Sequence, residues 1–164
     1  MKRVLITCLA MLCVSLAAHA AAYIGGMKLT PGVTYTKNNC KWITRGSVLF
    51  EEETNRCTLY LTNVIINTNG QYEKGITVET GIYHNATFNL TGENFVISDL
   101  DALSIGANYN EIEGEGGTLD LYSSLKAAVS LEEFGGTYIK RPSPLERCDV
   151  QSRRQAGYIY KKPT

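Results

Sequence analysis

Short runs in which apolar and polar residues alternate recur along most of the chain. Thr58-Leu59-Tyr60-Leu61-Thr62-Asn63-Val64, Ile76-Thr77-Val78, Ala86-Thr87-Phe88-Asn89-Leu90, Leu103-Ser104-Ile105 and Thr118-Leu119-Asp120-Leu121 all have period two. That spacing places alternate side chains on opposite faces of an extended backbone and predicts strands. Between residues 47 and 122 no window sustains apolar residues at helical spacing, and the short helix-tolerant stretch 123–133 is itself broken by Ala128-Val129-Ser130-Leu131. Asn67-Thr68-Asn69-Gly70, Gly92-Glu93-Asn94 and Gly114-Glu115-Gly116-Gly117 punctuate the strands with residues that tolerate left-handed backbone angles.

The strands recur as a set. Gly75-Ile76-Thr77-Val78, Ala102-Leu103-Ser104-Ile105, Ala128-Val129-Ser130-Leu131 and Ala156-Gly157-Tyr158-Ile159 start 27, 26 and 28 residues apart. A second series, Thr58-Leu59-Tyr60-Leu61, Thr87-Phe88-Asn89-Leu90 and Glu111-Ile112-Glu113-Gly114, advances by 29 and 24. A third reads Val64-Ile65-Ile66, Phe95-Val96-Ile97, Leu119-Asp120-Leu121 and Tyr138-Ile139. Three strands per repeat of about 26 residues is the layout of a parallel β-helix, an all-β solenoid of about four coils. A single coil cannot bury its own inward row, so Leu59, Leu61, Phe88, Leu90 and Ile112 become a core only when coils stack. An antiparallel β-sandwich is the alternative that the same strand density allows. Because the ends of a solenoid expose unpaired strands, residues 21–46 are expected to cap one end, with coils over 47–139 and a segment at 140–164 serving as the last coil or the other cap.

The ordered phrases Tyr23-Ile24-Gly25-Gly26-Met27-Lys28-Leu29-Thr30, Gly46-Ser47-Val48-Leu49-Phe50, Cys57-Thr58-Leu59-Tyr60-Leu61-Thr62-Asn63-Val64, Asn89-Leu90-Thr91-Gly92-Glu93-Asn94 and Ile112-Glu113-Gly114-Glu115-Gly116-Gly117-Thr118-Leu119 resemble exported bacterial β-helix proteins described as carbohydrate-binding-domain-containing. The likeness covers residues 23 to about 139. It implies a right-handed parallel β-helix and non-catalytic binding of acidic polysaccharide, sometimes with calcium. The segment beyond Lys140 has no counterpart in it.

The beginning of the chain carries a different pattern. Met1-Lys2-Arg3 precedes an apolar run over residues 4–18 that closes on Ala18-His19-Ala20. This reads as a signal peptide over residues 1–20, and hence as secretion or delivery to the periplasm or cell envelope. The run is shorter than the roughly 20 residues that span a bilayer, and no later stretch is long and apolar enough. Cys8 and Cys13 would leave with the signal, so Cys40, Cys57 and Cys148 remain. Cys40 with Cys57 is the local disulfide option, and a buried strand thiol at Cys57 is the other reading. Residues 21–139 hold 7 basic and 14 acidic side chains (net −7), and residues 140–164 hold 7 basic and 2 acidic (net +5). An acidic body repels polyanions, so nucleic acid is not an expected partner.

The candidate chemistry is sparse. His84 is the only histidine after residue 20, which excludes histidine-rich zinc and facial-triad iron sites, and no nucleophile elbow accompanies it. Gly114-Glu115-Gly116-Gly117-Thr118 lacks the lysine of a phosphate-binding loop. Asp99 and Asp101 stand at a predicted corner, where carboxylates of stacked coils could collect calcium through oxygen ligands. Glu111, Glu113 and Glu115 alternate along one face, more simply a solvated one. A polysaccharide lyase or glycoside hydrolase would draw on Asp99, Asp101 or Glu113. Sugar binding asks for exposed rings beside hydrogen-bonding groups, and Tyr83, Tyr109 and Tyr122, with Tyr72, lie near predicted corners. The expectation is a secreted, non-catalytic carbohydrate-binding β-helix with calcium as the candidate cofactor and a polysaccharide as partner. A β-helix lyase or hydrolase, and a structural or adhesive surface module, are the alternatives.

Overall fold

The computed structural model describes residues 20–80, 85–106, 109–113, 117–131 and 149–154, with side chains on all but 109–113 and 149–154. Among these residues there is no helix. The strands are β1 (Ala21–Ile24), β2 (Met27–Lys28), β3 (Thr34–Tyr35), β4 (Ile43–Glu53), β5 (Arg56–Asn67), β6 (Ile76–Glu79), β7 (Asn85–Thr91), β8 (Glu93–Ser98), β9 (Leu103–Gly106), β10 (Tyr109–Glu113), β11 (Thr118–Ser123), β12 (Val129–Leu131) and β13 (Asp149–Arg154). They form two open, mixed sheets, one ordered β12-β9-β6-β1-β2 and the other built on β10-β7-β5-β8-β11-β13 with β4 alongside β5 and β3 alongside β4.

The parallel pairings fall into three columns. In the first, the opening half of β5 pairs with β7 and β7 with β10, bringing Thr58, Thr87 and Glu111 into one row. In the second, the closing half of β5 pairs with β8, β8 with β11 and β11 with β13. In the third, β6 pairs with β9 and β9 with β12, aligning Ile76, Leu103 and Val129. The first and third columns have the registers expected from the repeats. The second is displaced by one residue from that expectation: Ile65 faces Phe95, so Val64 and Leu119 share their inward level with Asn94, not with Phe95. The fourth member of the second column is β13, with Val150 opposite Leu119, where the repeats place Tyr138-Ile139. Tyr138-Ile139 and Ala156-Gly157-Tyr158-Ile159, the expected fourth member of the third column, lie outside the described residues.

The strand β5 serves two columns because its alternation changes phase. Leu59, Leu61, Val64 and Ile66 are all fully buried, while Thr62 and Asn63 between them are both exposed. Asn63 carries the change with a positive φ of 47°, and Gly92 does the same between β7 and β8 at 66°. A left-handed residue turns the chain and keeps both halves' apolar rows inward. Gly92 also lies against the Asn63 side chain, whose Oδ1 accepts from the Glu93 amide at 3.3 Å. The antiparallel strand β4 must follow the same bend, and its register shifts twice, between Ile43 and Ser47. Gly46 (φ 72°) sits there, where an added Cβ would meet the carbonyl oxygens of Asn63 and Thr62 at 2.3 and 2.4 Å.

One strand segment from each column makes a repeat, or coil: β5–β6, β7–β9 and β10–β12. The N-terminal strands pair along the first of these. β1 runs antiparallel to β6, and β4 runs antiparallel along all of β5, so the parallel pairing begins at Arg56. The core runs between the columns and contains Ile24, Leu29, Phe50, Leu59, Leu61, Ile66, Ile76, Val78, Phe88, Leu90, Val96, Leu103, Leu119 and Leu121. Cys40 and Cys57 are buried free thiols. Burial pushes the Cys57 thiol up to about 12 from an ordinary 9.0, and the nearby Glu52 carboxylate adds to the shift. A thiol held protonated is a poor nucleophile, so Cys57 should react with a neutral disulfide reagent only at the rate of unfolding. Reaction of both buried thiols within seconds in native buffer would contradict this packing.

A candidate binding corner

Each of the three coils turns from the second column to the third through a corner over residues 68–75, 98–102 and 123–128. Hydroxyls stand at or just past the strand ends: Thr68, which follows β5, with Ser98 and Ser123, the last residues of β8 and β11, all three buried. As the backbone leaves the sheet its polar groups need other partners. Thr68 Oγ1 donates to the Glu73 carbonyl at 3.3 Å, Ser98 Oγ donates to Leu100 O at 2.9 Å, and Ser123 Oγ also donates to Leu100 O. The Lys126 amide donates back to Ser123 Oγ at 3.1 Å.

Asp99 follows Ser98 and ties three coils together. The Tyr72 amide of the first coil donates to its Oδ2 at 3.0 Å, and Ser124 of the third coil donates to its Oδ1 at 3.0 Å. The Leu125 amide donates to its carbonyl at 2.9 Å. The Tyr72 amide holds the Asp99 carboxyl below the ordinary 3.8, burial opposes the shift, and Ser124 with the Gly70 and Gln71 amides reinforces it. Because the folded-state value is depressed, this group stabilises the fold above about pH 3.8 and the contribution is lost as pH falls through the lower, folded-state value. Asp99→Asn should therefore flatten the loss of stability seen in denaturant titrations below pH 3.8. Identical acid profiles for both proteins would remove Asp99 from this role.

Asp101 is two residues on and also reaches the first coil, where Lys74 Nζ lies 3.8 Å from its Oδ2. Lys74 donates in turn to Ser104 Oγ at 3.1 Å. The Gly75 amide donates to the Asp101 carbonyl at 2.9 Å. The two aspartates thus share a corner and both accept from protein donors. Among the described residues no group of three or more His, Cys, Asp or Glu side chains could hold a metal ion.

Apolar side chains surround this corner on the outside. Tyr72 is 73% exposed, Leu125 60% and Tyr122 40%. Tyr122 points out from β11 and pairs with Ile97, which pairs with Asn67; on the neighbouring rung Asp120 pairs with Phe95 and Phe95 with Ile65. Ile65, Phe95 and Ile97 are half-buried on this outward face, and Asn67 is exposed. The result is a partly apolar outward face that carries Asn67 and Asp120 and reaches, at Tyr122, the corner that also holds Tyr72.

Of the candidate residues read from the sequence, Tyr122, Tyr72, Asp99 and Asp101 come together here. Tyr109 opens β10 in the first column, opposite Asn85, and its side chain lies outside the described set, as do Tyr83 and the side chain of Glu113. The outward rows Ile65, Phe95 and Ile97 were hidden by the one-residue displacement, which makes Phe95 look like core. No family model, curated protein or solved structure matches the chain, and its function is therefore read from this geometry.

Proposed function

We propose that this protein is an exported, right-handed parallel β-helix that binds carbohydrate without catalysis, through the outward face of β5, β8 and β11 and the corner beyond it. The three columns of parallel pairs, advancing by 24 to 30 residues from β5 to β12, support the solenoid. The charged start, apolar run and Ala18-His19-Ala20 support export, and no helix among the described residues is long and apolar enough to cross a membrane.

The observation that carries the binding reading is the outward face itself. Clustered apolar side chains on a face turned to water mark interaction sites, and this face presents Ile65, Phe95, Ile97 and Tyr122. Sugar rings offer apolar C–H faces that pack on such surfaces while their hydroxyls seek groups such as Asn67 and Asp120. Retention of the protein on insoluble polysaccharides, with and without calcium, tests the reading. Specific retention on at least one glycan is expected. A protein that passes through every matrix in both conditions contradicts it and favours a structural or adhesive module.

A further inference from the structure

We infer that Tyr72 is the residue on which the saccharide stacks, and that the ligand is a neutral glycan bound without calcium; this rests on the carbohydrate-binding reading above. Tyr72 has a positive φ of 56°. A bulky side chain there crowds its own backbone, and left-handed turn positions are normally given to glycine or asparagine. Two residues earlier Gly70 holds such a position at 81° in open space. The tyrosine brings no compensating burial, because its side chain is the most exposed of the large apolar ones described. Strain that packing does not offset is found where a side chain serves a ligand.

The backbone beneath Tyr72 is fixed. Its amide is held by Asp99, and that carboxylate is locked from the other side by Ser124. A ring whose base is held costs less to order on binding than one on a loose loop. Exposed Asn69 and Gln71 flank it with carboxamides, suited to sugar hydroxyls.

The same contacts argue the ligand's charge. An ionised carboxylate offers about four acceptor positions, and those of Asp99 face the Tyr72 amide, the Ser124 hydroxyl and the nearby Gly70 and Gln71 amides. Asp101 faces Lys74. Neither is left turned outward to gather a cation, so an acidic sugar would find no bridging calcium at this corner.

The test compares wild type, Tyr72→Ala, Tyr72→Gly and Tyr72→Phe, with neutral β-linked glucose and mannose hexasaccharides, an oligogalacturonate, calcium and chelator. Wild type should bind a neutral hexasaccharide equally with calcium or chelator. Tyr72→Ala should melt with wild type yet bind about tenfold or more weakly, and Tyr72→Phe should keep its affinity. Tyr72→Gly should melt about 2 to 4 °C above Tyr72→Ala as the strain is relieved. Undiminished binding by Tyr72→Ala, or a Tyr72→Ala melt far below wild type, overturns the role of Tyr72 while leaving carbohydrate binding intact. Binding only of the oligogalacturonate, or only with calcium, overturns the neutral ligand. No binding of any sugar by wild type overturns both this inference and the function it rests on.

Discussion

Asn94→Asp is expected to destabilise the protein by about 3 to 5 kcal/mol at neutral pH, although it changes one atom of a side chain and almost none of its volume. Asn94 is fully buried in the second column. Its Oδ1 accepts from the Val64 amide of the first coil at 3.0 Å. Its Nδ2 faces three carbonyl oxygens: Thr91 at 3.3 Å and Gly92 at 3.1 Å in its own coil, and Thr118 of the next at 3.0 Å. One carboxamide thereby satisfies backbone groups of three successive coils at the bend between the first and second columns. A carboxylate would keep the first bond and set a negative oxygen against three carbonyls. Protonation would relieve this, so the variant's pKa rises in the fold and its deficit shrinks as pH falls, opposite in sign to the acid response assigned to Asp99. Chemical denaturation of both proteins from pH 7 to 4 measures it. A deficit under about 1 kcal/mol, or one independent of pH, would show that Asn94 does not bridge the coils.

The second large effect separates two phenylalanines that are alike in sequence. Phe88 is fully buried on β7, at the level of Leu59, and its replacement by alanine should cost about 3 to 5 kcal/mol through lost transfer energy and the cavity left behind. Phe95 lies seven residues on, within an equally apolar run, yet its ring is half-buried on the outward face of β8 between Ile65 and Asp120. Phe95→Ala should cost about 1 kcal/mol or less and lower the affinity for sugar. Equal destabilisation by the two substitutions would mean that β8 does not turn Phe95 outward.

These two residues also mark how far the sequence could be read. Alternation found the strands, and the spacing between like segments gave the registers of Thr58, Thr87 and Glu111 and of Ile76, Leu103 and Val129, because those inward rows are apolar in every coil. In the second column the rule fails at Asn94. A polar residue occupies an inward position there because it serves backbone bonds at a corner, so hydrophobicity aligned Val64 with Phe95 and set that column one residue out. The antiparallel strands β1 and β4 were likewise illegible as such, since alternation does not record strand direction. Of the binding corner, Tyr72, Tyr122, Asp99 and Asp101 were legible as residues that suit chemistry at a turn. Their meeting at one corner follows from the parallel stacking. The partners that occupy the aspartates come from the neighbouring coils: Ser124 is 25 residues from Asp99, Lys74 is 27 from Asp101, and the Tyr72 amide, 27 from Asp99, is a backbone group that composition does not reveal.

The most direct test is a map of backbone amide shifts as the full chain is titrated with the neutral hexasaccharide that it retains best. Saturable changes should centre on Asn67, residues 69–72, Ile97 and residues 122–125, with little change at the part-exposed outward residues of the first column, Thr58, Tyr60 and Asn89. Changes centred on that first column, or none at saturating sugar, would contradict a binding corner between the second and third columns.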